Sequence, residues 1–201
     1  MPSSALIGIA GPSCSGKTER ARALAARLGC PMLNLDLYYY DLSHLPADER
    51  AKTNFDEPAI LEFPLILQHA QALQRGESIL APRYDFTTHT RPPGGIDVRP
   101  TAFVVLEGLF ALHWPELRQL YTLSVYVDTP DEICFNRRFH RDQIERGRSP
   151  ESIRRQYDHW VRPMAQKWIL PTRQFAHLTV SGAEDIPAAI EQITGRIMAA
   201  L

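Results

Sequence analysis

An eight-residue segment near the start of the chain constrains the fold more than any other part of the sequence. It fits the pattern GxxxxGK[ST] and consists of Gly11, Pro12, Ser13, Cys14, Ser15, Gly16, Lys17 and Thr18. An apolar run, Ala5 to Ala10, precedes it, and an Ala-rich helical pattern begins at Lys17. A glycine-rich loop between a strand and a helix lets backbone N–H groups surround phosphate groups at the helix N-terminus. We therefore expect this loop to bind the phosphates of a nucleotide.

Short apolar runs alternate with helical patterns along the rest of the chain. The predicted strands are Ala5 to Ala10, Met32 to Asp36, Ala102 to Glu107, Leu123 to Asp128 and Leu178 to Ser181. The predicted helices are Lys17 to Leu28, Ile60 to Arg75 with a bend or break at Pro64, Pro130 to Arg146, Pro150 to Ile169 with a bend or break at Pro163, and Pro187 to Leu201. Nearly continuous apolar strands separated by helices are typical of a parallel sheet covered on both faces. The sequence predicts an α/β fold, a P-loop NTPase-type sheet of about five strands flanked by helices, in a single domain over residues 1–201.

Two stretches depart from this alternation. Residues 37–56 are polar and irregular, and residues 79–100 begin with an extended run and are rich in Thr, Pro and Gly. Insertions of this kind commonly carry substrate loops, and we expect the second to form a β-hairpin. Residues 138–150 are rich in arginine. Part of this region reads as a solvated helix surface with pairs such as Asp142 and Arg146, and the remainder predicts a lid that closes over phosphates.

Charge and composition exclude several classes of protein. The formal net charge of the 201 residues is -1, which gives no reason to expect binding to nucleic acid or to an anionic membrane. The longest apolar runs are a few residues, against the roughly 18 needed for a membrane span. Three scattered cysteines predict reduced thiols and neither disulfides nor a zinc site. We expect a soluble protein that acts in the cytoplasm.

Acidic side chains at two predicted strand ends complete the expected phosphate site. Lys17 should reach the β- and γ-phosphates of ATP, and the Thr18 hydroxyl should bind Mg²⁺. Glu107, at the carboxyl end of a buried strand, is the expected acidic group on the metal side. Asp36 ends the second predicted strand and is a candidate proton acceptor for a substrate hydroxyl. Asp41 and Asp56 are the alternative acids.

Nine segments in one order resemble the uridine kinases, also called uridine-cytidine kinases. They are Gly11 to Thr18, Asp36 to Tyr39, Thr53 to Pro58, Tyr84 to Arg91, Leu106 to Gly108, Arg137 to Asp142, Glu145 to Ser149, Gln156 with Tyr157, and Val161 to Met164. The resemblance extends from the phosphate loop to about Gly182. It implies ATP-dependent phosphorylation of the 5′-hydroxyl of uridine and cytidine, with Mg²⁺, in an enzyme that assembles as a homo-oligomer, usually a tetramer.

The resemblance also implies roles for individual residues. Asp36 would be the general base, and Asp56 with Arg138 and Gln156 would hold the ribose hydroxyls. The base pocket would be formed by Tyr84, Phe86 and His89. Arg141 and Arg148 would belong to the lid, where Arg141 would contact the ATP phosphates during catalysis and Arg148 would contact the bound nucleoside.

Some positions depart from the family pattern, and other functions remain open. Leu37 and Tyr40 flank Asp36 where smaller or charged residues are usual, and Ser181-Gly182-Ala183 replaces a frequent Arg-Gly-Gly. The nearest alternative is a phosphoribulokinase-like sugar-phosphate kinase, against which the Tyr84 to Arg91 segment argues. A regulatory switch that hydrolyses GTP is another alternative, but the chain has no NKxD segment to read guanine. A non-catalytic nucleotide-binding regulator would be expected to lack Asp36 or Lys17, and both are present.

Overall fold

A computed structural model describes residues 3–50 and 52–200. Its strands are β1 (Ala5–Ala10), β2 (Met32–Asn34), β3 (Ile79–Pro82), β4 (Gly95–Val98), β5 (Phe103–Glu107), β6 (Tyr121–Asp128) and β7 (Leu178–Ser181). Five of them form one parallel sheet in the order β2-β5-β1-β6-β7. The antiparallel pair β3 and β4 forms the hairpin expected in residues 79–100. The α/β fold predicted from the sequence is confirmed.

Helices cover both faces of the parallel sheet. The α-helices of the described residues are α1 (Lys17–Leu28), α2 (Ala47–Arg50), α3 (Phe63–Gln74), α4 (Pro115–Arg118), α5 (Asp131–Arg146), α6 (Pro150–Gln156), α7 (Arg162–Met164) and α8 (Ile186–Ala200). On β1, Leu6 packs into the cluster that contains Ile66 of α3, whereas Ile7 packs with Leu24 of α1 and Ile193 of α8. Each fully buried aliphatic side chain of this kind stabilises the fold by about 1.5–3 kcal/mol. The alternation along β1 thus decides which helices cover each face.

The topology places a crevice at the carboxyl end of β1. The chain continues from β1 to β2 on one side, whereas the later connection from β5 to β6 crosses to the other side of β1. Ligands of open α/β sheets bind at such a reversal of strand order. Glu107 pairs in register with Ile9 of β1 and with Asn34 of β2. The phosphate loop and the ends of β2 and β5 therefore meet at one edge.

Several predicted boundaries were wrong by a few residues. The second strand ends at Asn34, and Asp36 lies in a 3₁₀ turn, Leu35–Tyr38, because the Asn34 side chain accepts a hydrogen bond from the Asp36 N–H and turns the backbone. Pro64 lies in the first turn of α3, where its missing N–H costs no hydrogen bond, so the break precedes it.

Pro163 lies in α7, and it does not end the helical path that starts with α6. The helical path from residue 150 to residue 169 continues through two widened π turns, Tyr157–Val161 and Ala165–Ile169. The C-terminal helix begins at Ile186, and Leu201, its predicted end, lies outside the described residues. Within the described ranges, no helix has the length and apolar character required to cross a membrane.

Candidate active site

The phosphate loop has the backbone shape that its glycines allow. Gly16 has φ 88°, and a Cβ atom there would lie 2.8 Å from Nη1 of Arg20. The outer side of the loop is held by the Thr129 hydroxyl, which donates to the Ser15 carbonyl at 2.9 Å. The Ser15 hydroxyl is buried and has no hydrogen-bond partner within residues 3–50 and 52–200, and Lys17 is also buried. A cradle with unused polar groups at a helix N-terminus fits the phosphates of a nucleotide.

Thr18 and Glu107 form the predicted metal-side pair. The Thr18 hydroxyl donates to Oε2 of Glu107 at 3.2 Å, and Glu107 is buried. Burial raises the pKa of Glu107 to about 7, although the nearby charge of Lys17 opposes the shift. Hydroxyl and carboxylate oxygens suit Mg²⁺, which takes its remaining ligands from water and phosphate. These residues fit a magnesium ion that accompanies ATP.

Asp36 is close enough to Lys17 for their charges to interact. Its Oδ1 is shielded from water and has no hydrogen-bond partner among the described residues. Burial raises the pKa of Asp36, and the charge of Lys17 offsets part of that rise. An unpartnered carboxylate oxygen with a raised pKa is suited to accept a proton from a bound hydroxyl group.

Two of the three residues expected to hold a ribose, Arg138 and Gln156, are linked to the phosphate loop by hydrogen bonds. Arg138 donates from Nη2 to Oε1 of Gln156 at 3.2 Å and from Nη1 to Oγ of Ser13 at 2.9 Å. Arg148 also donates to Oε1 of Gln156. Asp56 is buried; burial raises its pKa, and the charge of Arg138 acts in the opposite direction. The structure thus brings Asp56, Arg138, Gln156 and Arg148 to the same side of the crevice.

Asp142 has a different environment from the one the sequence suggested. We expected a solvated pair with Arg146, but the Asp142 side chain has no exposed surface. Burial alone would raise the pKa of Asp142, but the surrounding guanidinium groups, Arg138 foremost, lower it. Four arginines contact the carboxylate, at 2.8 Å for Arg141, 3.5 Å for Arg148, 3.6 Å for Arg138 and 3.7 Å for Arg146. The helix turns Asp142 inward, so the arginines of the predicted lid share one buried anion.

Aromatic rings form a wall beside Asp36. Tyr84 is buried, and its ring centroid lies 5.3 Å from that of Tyr39 and 5.2 Å from that of Phe86. His89 stacks on Phe55 at 4.4 Å between ring centroids. Tyr84 therefore also has a packing role in this wall. In the described part of the chain, the buried Tyr84 hydroxyl and His89 Nδ1 have no hydrogen-bond partner, as expected of groups that read the edge of a base.

Tyr39 is the residue of this wall that the sequence analysis did not single out. Its ring also contacts Phe55, at 5.2 Å between ring centroids, and its hydroxyl donates to the Phe55 carbonyl at 3.3 Å. The available signals were its place in the Asp36 to Tyr39 segment that resembles the uridine kinases and its spacing of three residues from Asp36. The 3₁₀ turn brings the two residues to one side of the pocket.

Cys14 lies within the phosphate loop in a left-handed conformation with φ 62°, and it is partly exposed. We expect N-ethylmaleimide to label Cys14 in the nucleotide-free protein, and Mg-ATP to slow this labelling at least about tenfold, because bound phosphates cover the loop. Peptide mass spectrometry measures the adducts. Cys30 and Cys134 are internal controls, since burial raises their pKa to about 11 and about 12. Labelling of Cys14 that is indifferent to ATP would contradict this expectation.

Known proteins are similar to this chain in sequence or in fold. The profile of the phosphoribulokinase/uridine kinase family matches residues 6–186. The chain belongs to this family. Among its relatives, a uridine kinase from Chloroflexus aurantiacus is 41% identical over 199 residues, covering 98% of this chain and 95% of the relative. A uridine kinase from Deinococcus deserti is 42% identical over 195 residues, covering 96% and 94%.

Solved structures support the fold of this family member. A putative fructose transport system kinase from Silicibacter superimposes with a TM-score of 0.66 at 21% identity, covering 90% of this chain and 91% of the other. Phosphoribulokinase from Rhodobacter spheroides superimposes with a TM-score of 0.65 at 14% identity, covering 89% and 70%. At such identities the likeness concerns the fold alone. The sequence relatives make this chain a kinase of the uridine kinase type, whereas the roles of individual residues stay predictions.

Proposed function

We propose that the protein transfers the γ-phosphoryl group of ATP to the 5′-hydroxyl of uridine and cytidine, yielding UMP or CMP and ADP in pyrimidine salvage. The observation that carries this proposal is the unpartnered Oδ1 of Asp36 beside Lys17, next to the aromatic wall. A hydroxyl group placed there would meet a proton acceptor. We include a cytoplasmic location, because ATP is supplied there and the three cysteines are free thiols.

The reaction can be assigned to named side chains. Lys17 and the loop N–H groups bind the triphosphate, and Arg141 balances charge on the transferred group. Asp36 takes the proton of the 5′-hydroxyl as the new O–P bond forms and the bond to ADP breaks. Magnesium, held by Thr18 and Glu107, would neutralise phosphate charge.

A second group of residues would bind the nucleoside that accepts the phosphoryl group. Asp56, Arg138 and Gln156 offer buried hydrogen-bonding groups to the ribose hydroxyls, so loss of one hydroxyl would leave these groups unpaired. Tyr84 and His89 would bind the polar edge of the base. A pocket that is closed by rings on several sides favours the smaller pyrimidine bases.

A panel of acceptors tests the proposal directly. With Mg-ATP, uridine and cytidine should be phosphorylated with kcat/KM at least about a hundredfold above that for adenosine, guanosine or 2′-deoxyuridine. ADP release and product mass spectrometry give the rates. Ribulose 5-phosphate belongs in the panel, because its phosphorylation in place of uridine would establish the phosphoribulokinase-like alternative. If none of these acceptors is phosphorylated, the proposal is contradicted.

Removal of one hydroxyl tests the assigned pocket. Tyr84→Phe should raise KM for uridine and cytidine by about 5- to 100-fold, the usual effect of losing a buried hydrogen bond, and leave KM for ATP unchanged. Tyr126→Phe is the matched control, since the buried Tyr126 hydroxyl also has no partner among the residues that the structure describes but lies beside Asp128 on β6. Equal effects of the two substitutions on KM for uridine would contradict the pocket assignment.

A further inference from the structure

Arg91 joins two segments on which the acceptor site depends. Its Nε donates to the Tyr39 carbonyl at 2.7 Å, and its Nη2 donates to the Tyr38 carbonyl at 2.8 Å. Its Nη1 binds the carboxylate of Glu62, immediately before α3. The side chains of Arg91 and Glu62 are 20% and 31% exposed, so water screens this contact less than it screens a surface ion pair.

Further hydrogen bonds converge on the same junction. The Arg91 N–H donates to Oδ1 of Asp41 at 3.0 Å, and the Leu42 N–H donates to the His89 carbonyl at 3.4 Å. The Glu62 N–H donates to the Tyr38 carbonyl at 2.9 Å. Three segments therefore meet at Arg91: residues 36–42, residues 83–91 and the start of α3.

The position of this junction matters because Asp36 and the aromatic wall lie on different segments. Asp36 precedes Tyr38 and Tyr39 in the same turn, whereas Tyr84 and His89 belong to the loop that ends at Arg91. The planar guanidinium can donate to both carbonyls and to the carboxylate at fixed angles, which a lysine ammonium cannot do. Arg91 thereby sets the separation between the proton acceptor and the groups that face the base.

We propose that Arg91 is a positioning residue that fixes the Asp36 segment against the base-reading loop and so controls the use of the acceptor. This inference rests on the proposed function. It assigns Arg91 no contact with substrate.

Four substitutions separate positioning from simple ion pairing. Arg91→Lys keeps the charge beside Glu62 but loses the fork on the two carbonyls, so kcat/KM for uridine should fall by about 10- to 100-fold, as for lost charge-assisted hydrogen bonds. Arg91→Met should lower kcat/KM for uridine at least as much. Glu62→Gln keeps both carbonyl contacts and should stay within about threefold of wild type. Arg99→Met, which removes an 81% exposed arginine from the same excursion, is the matched control and should have no effect.

The split between kinetic constants identifies the role. KM for ATP should stay within about threefold in every variant, because Arg91 contacts no part of the phosphate loop. Full activity of Arg91→Lys, or equal losses in Arg91→Lys and Glu62→Gln, would overturn the inference in favour of an ion pair that only adds stability.

Amide hydrogen exchange tests the same inference without any acceptor. In Arg91→Met, the amides of Tyr40 and Leu42 should exchange at least about tenfold faster than in wild type, while those of β1 should not change. Equal acceleration in β1 would show general destabilisation and overturn the inference. If wild type phosphorylates no nucleoside, the proposed function fails, and the exchange result still decides whether Arg91 holds the junction.

Discussion

Asp36→Asn is expected to lower kcat by about a hundredfold or more, the usual loss when a general base is removed. The substitution keeps the size of the side chain and its position beside Lys17, but an amide cannot take the proton of the 5′-hydroxyl. KM for ATP should stay nearly unchanged, because the predicted role of Asp36 is toward the acceptor. Steady-state kinetics with uridine measure both constants. The rival acid Asp41 provides a control, since its carboxylate caps the Ser43 N–H at 3.2 Å.

The pH dependence of kcat gives a second test of Asp36. Burial raises its pKa, and a base must be deprotonated to act. In wild type, kcat should therefore fall on the acid side at a pH above the ordinary aspartate value of about 3.9. Asp36→Asn should remove this acid limb from its residual rate. Normal turnover of Asp36→Asn, or an equal loss in Asp41→Asn, would assign the proton transfer elsewhere.

Asp142→Asn is expected to destabilise the protein by about 3–5 kcal/mol, the range for breaking a buried ion pair. The substitution leaves four arginines around a neutral amide, and Arg141 and Arg148 lose the anion that orients them. Urea unfolding measures the free energy. Asp158→Asn is the control: Asp158 pairs with Arg162 at 2.6 Å, but its side chain is 63% exposed, so its loss should cost below about 1 kcal/mol.

The contribution of Asp142 to the free energy of unfolding should decrease as the pH is lowered. Its pKa is lowered in the folded protein, so its contribution is complete above the unfolded value of about 3.9. The contribution is lost as the pH falls below that value and through the folded pKa. The difference between wild type and Asp142→Asn should therefore be constant near neutral pH and shrink below about pH 4. A difference that is small at pH 7 would contradict the buried cluster.

Local sequence patterns were sufficient for the sheet and the phosphate loop. Strands β1 and β7 and helix α1 were predicted at their observed bounds. Their ends are marked by local signals, namely the limits of an apolar run and a glycine after the helix. The hairpin in residues 79–100 was also predicted. The resemblance of nine segments to the uridine kinases identified the family, which the profile match and the relatives confirm.

Tertiary structure decided which polar groups are buried and what they face. Asp142 reads as a surface residue in a charged helix, yet packing of α5 turns it toward four arginines. The end of β2 depended on one side chain, Asn34, which redirects the backbone before Asp36.

Contacts between distant segments could not be predicted from the sequence either, because they too depend on packing. Arg91 meets Tyr38 and Tyr39 across more than 50 positions of the chain. The sequence by itself determined the fold class, the phosphate loop and the family, because these follow from local periodicity and ordered motifs. Only the tertiary structure decided how the acceptor pocket is assembled, because hydrogen bonds between distant segments depend on how the elements pack.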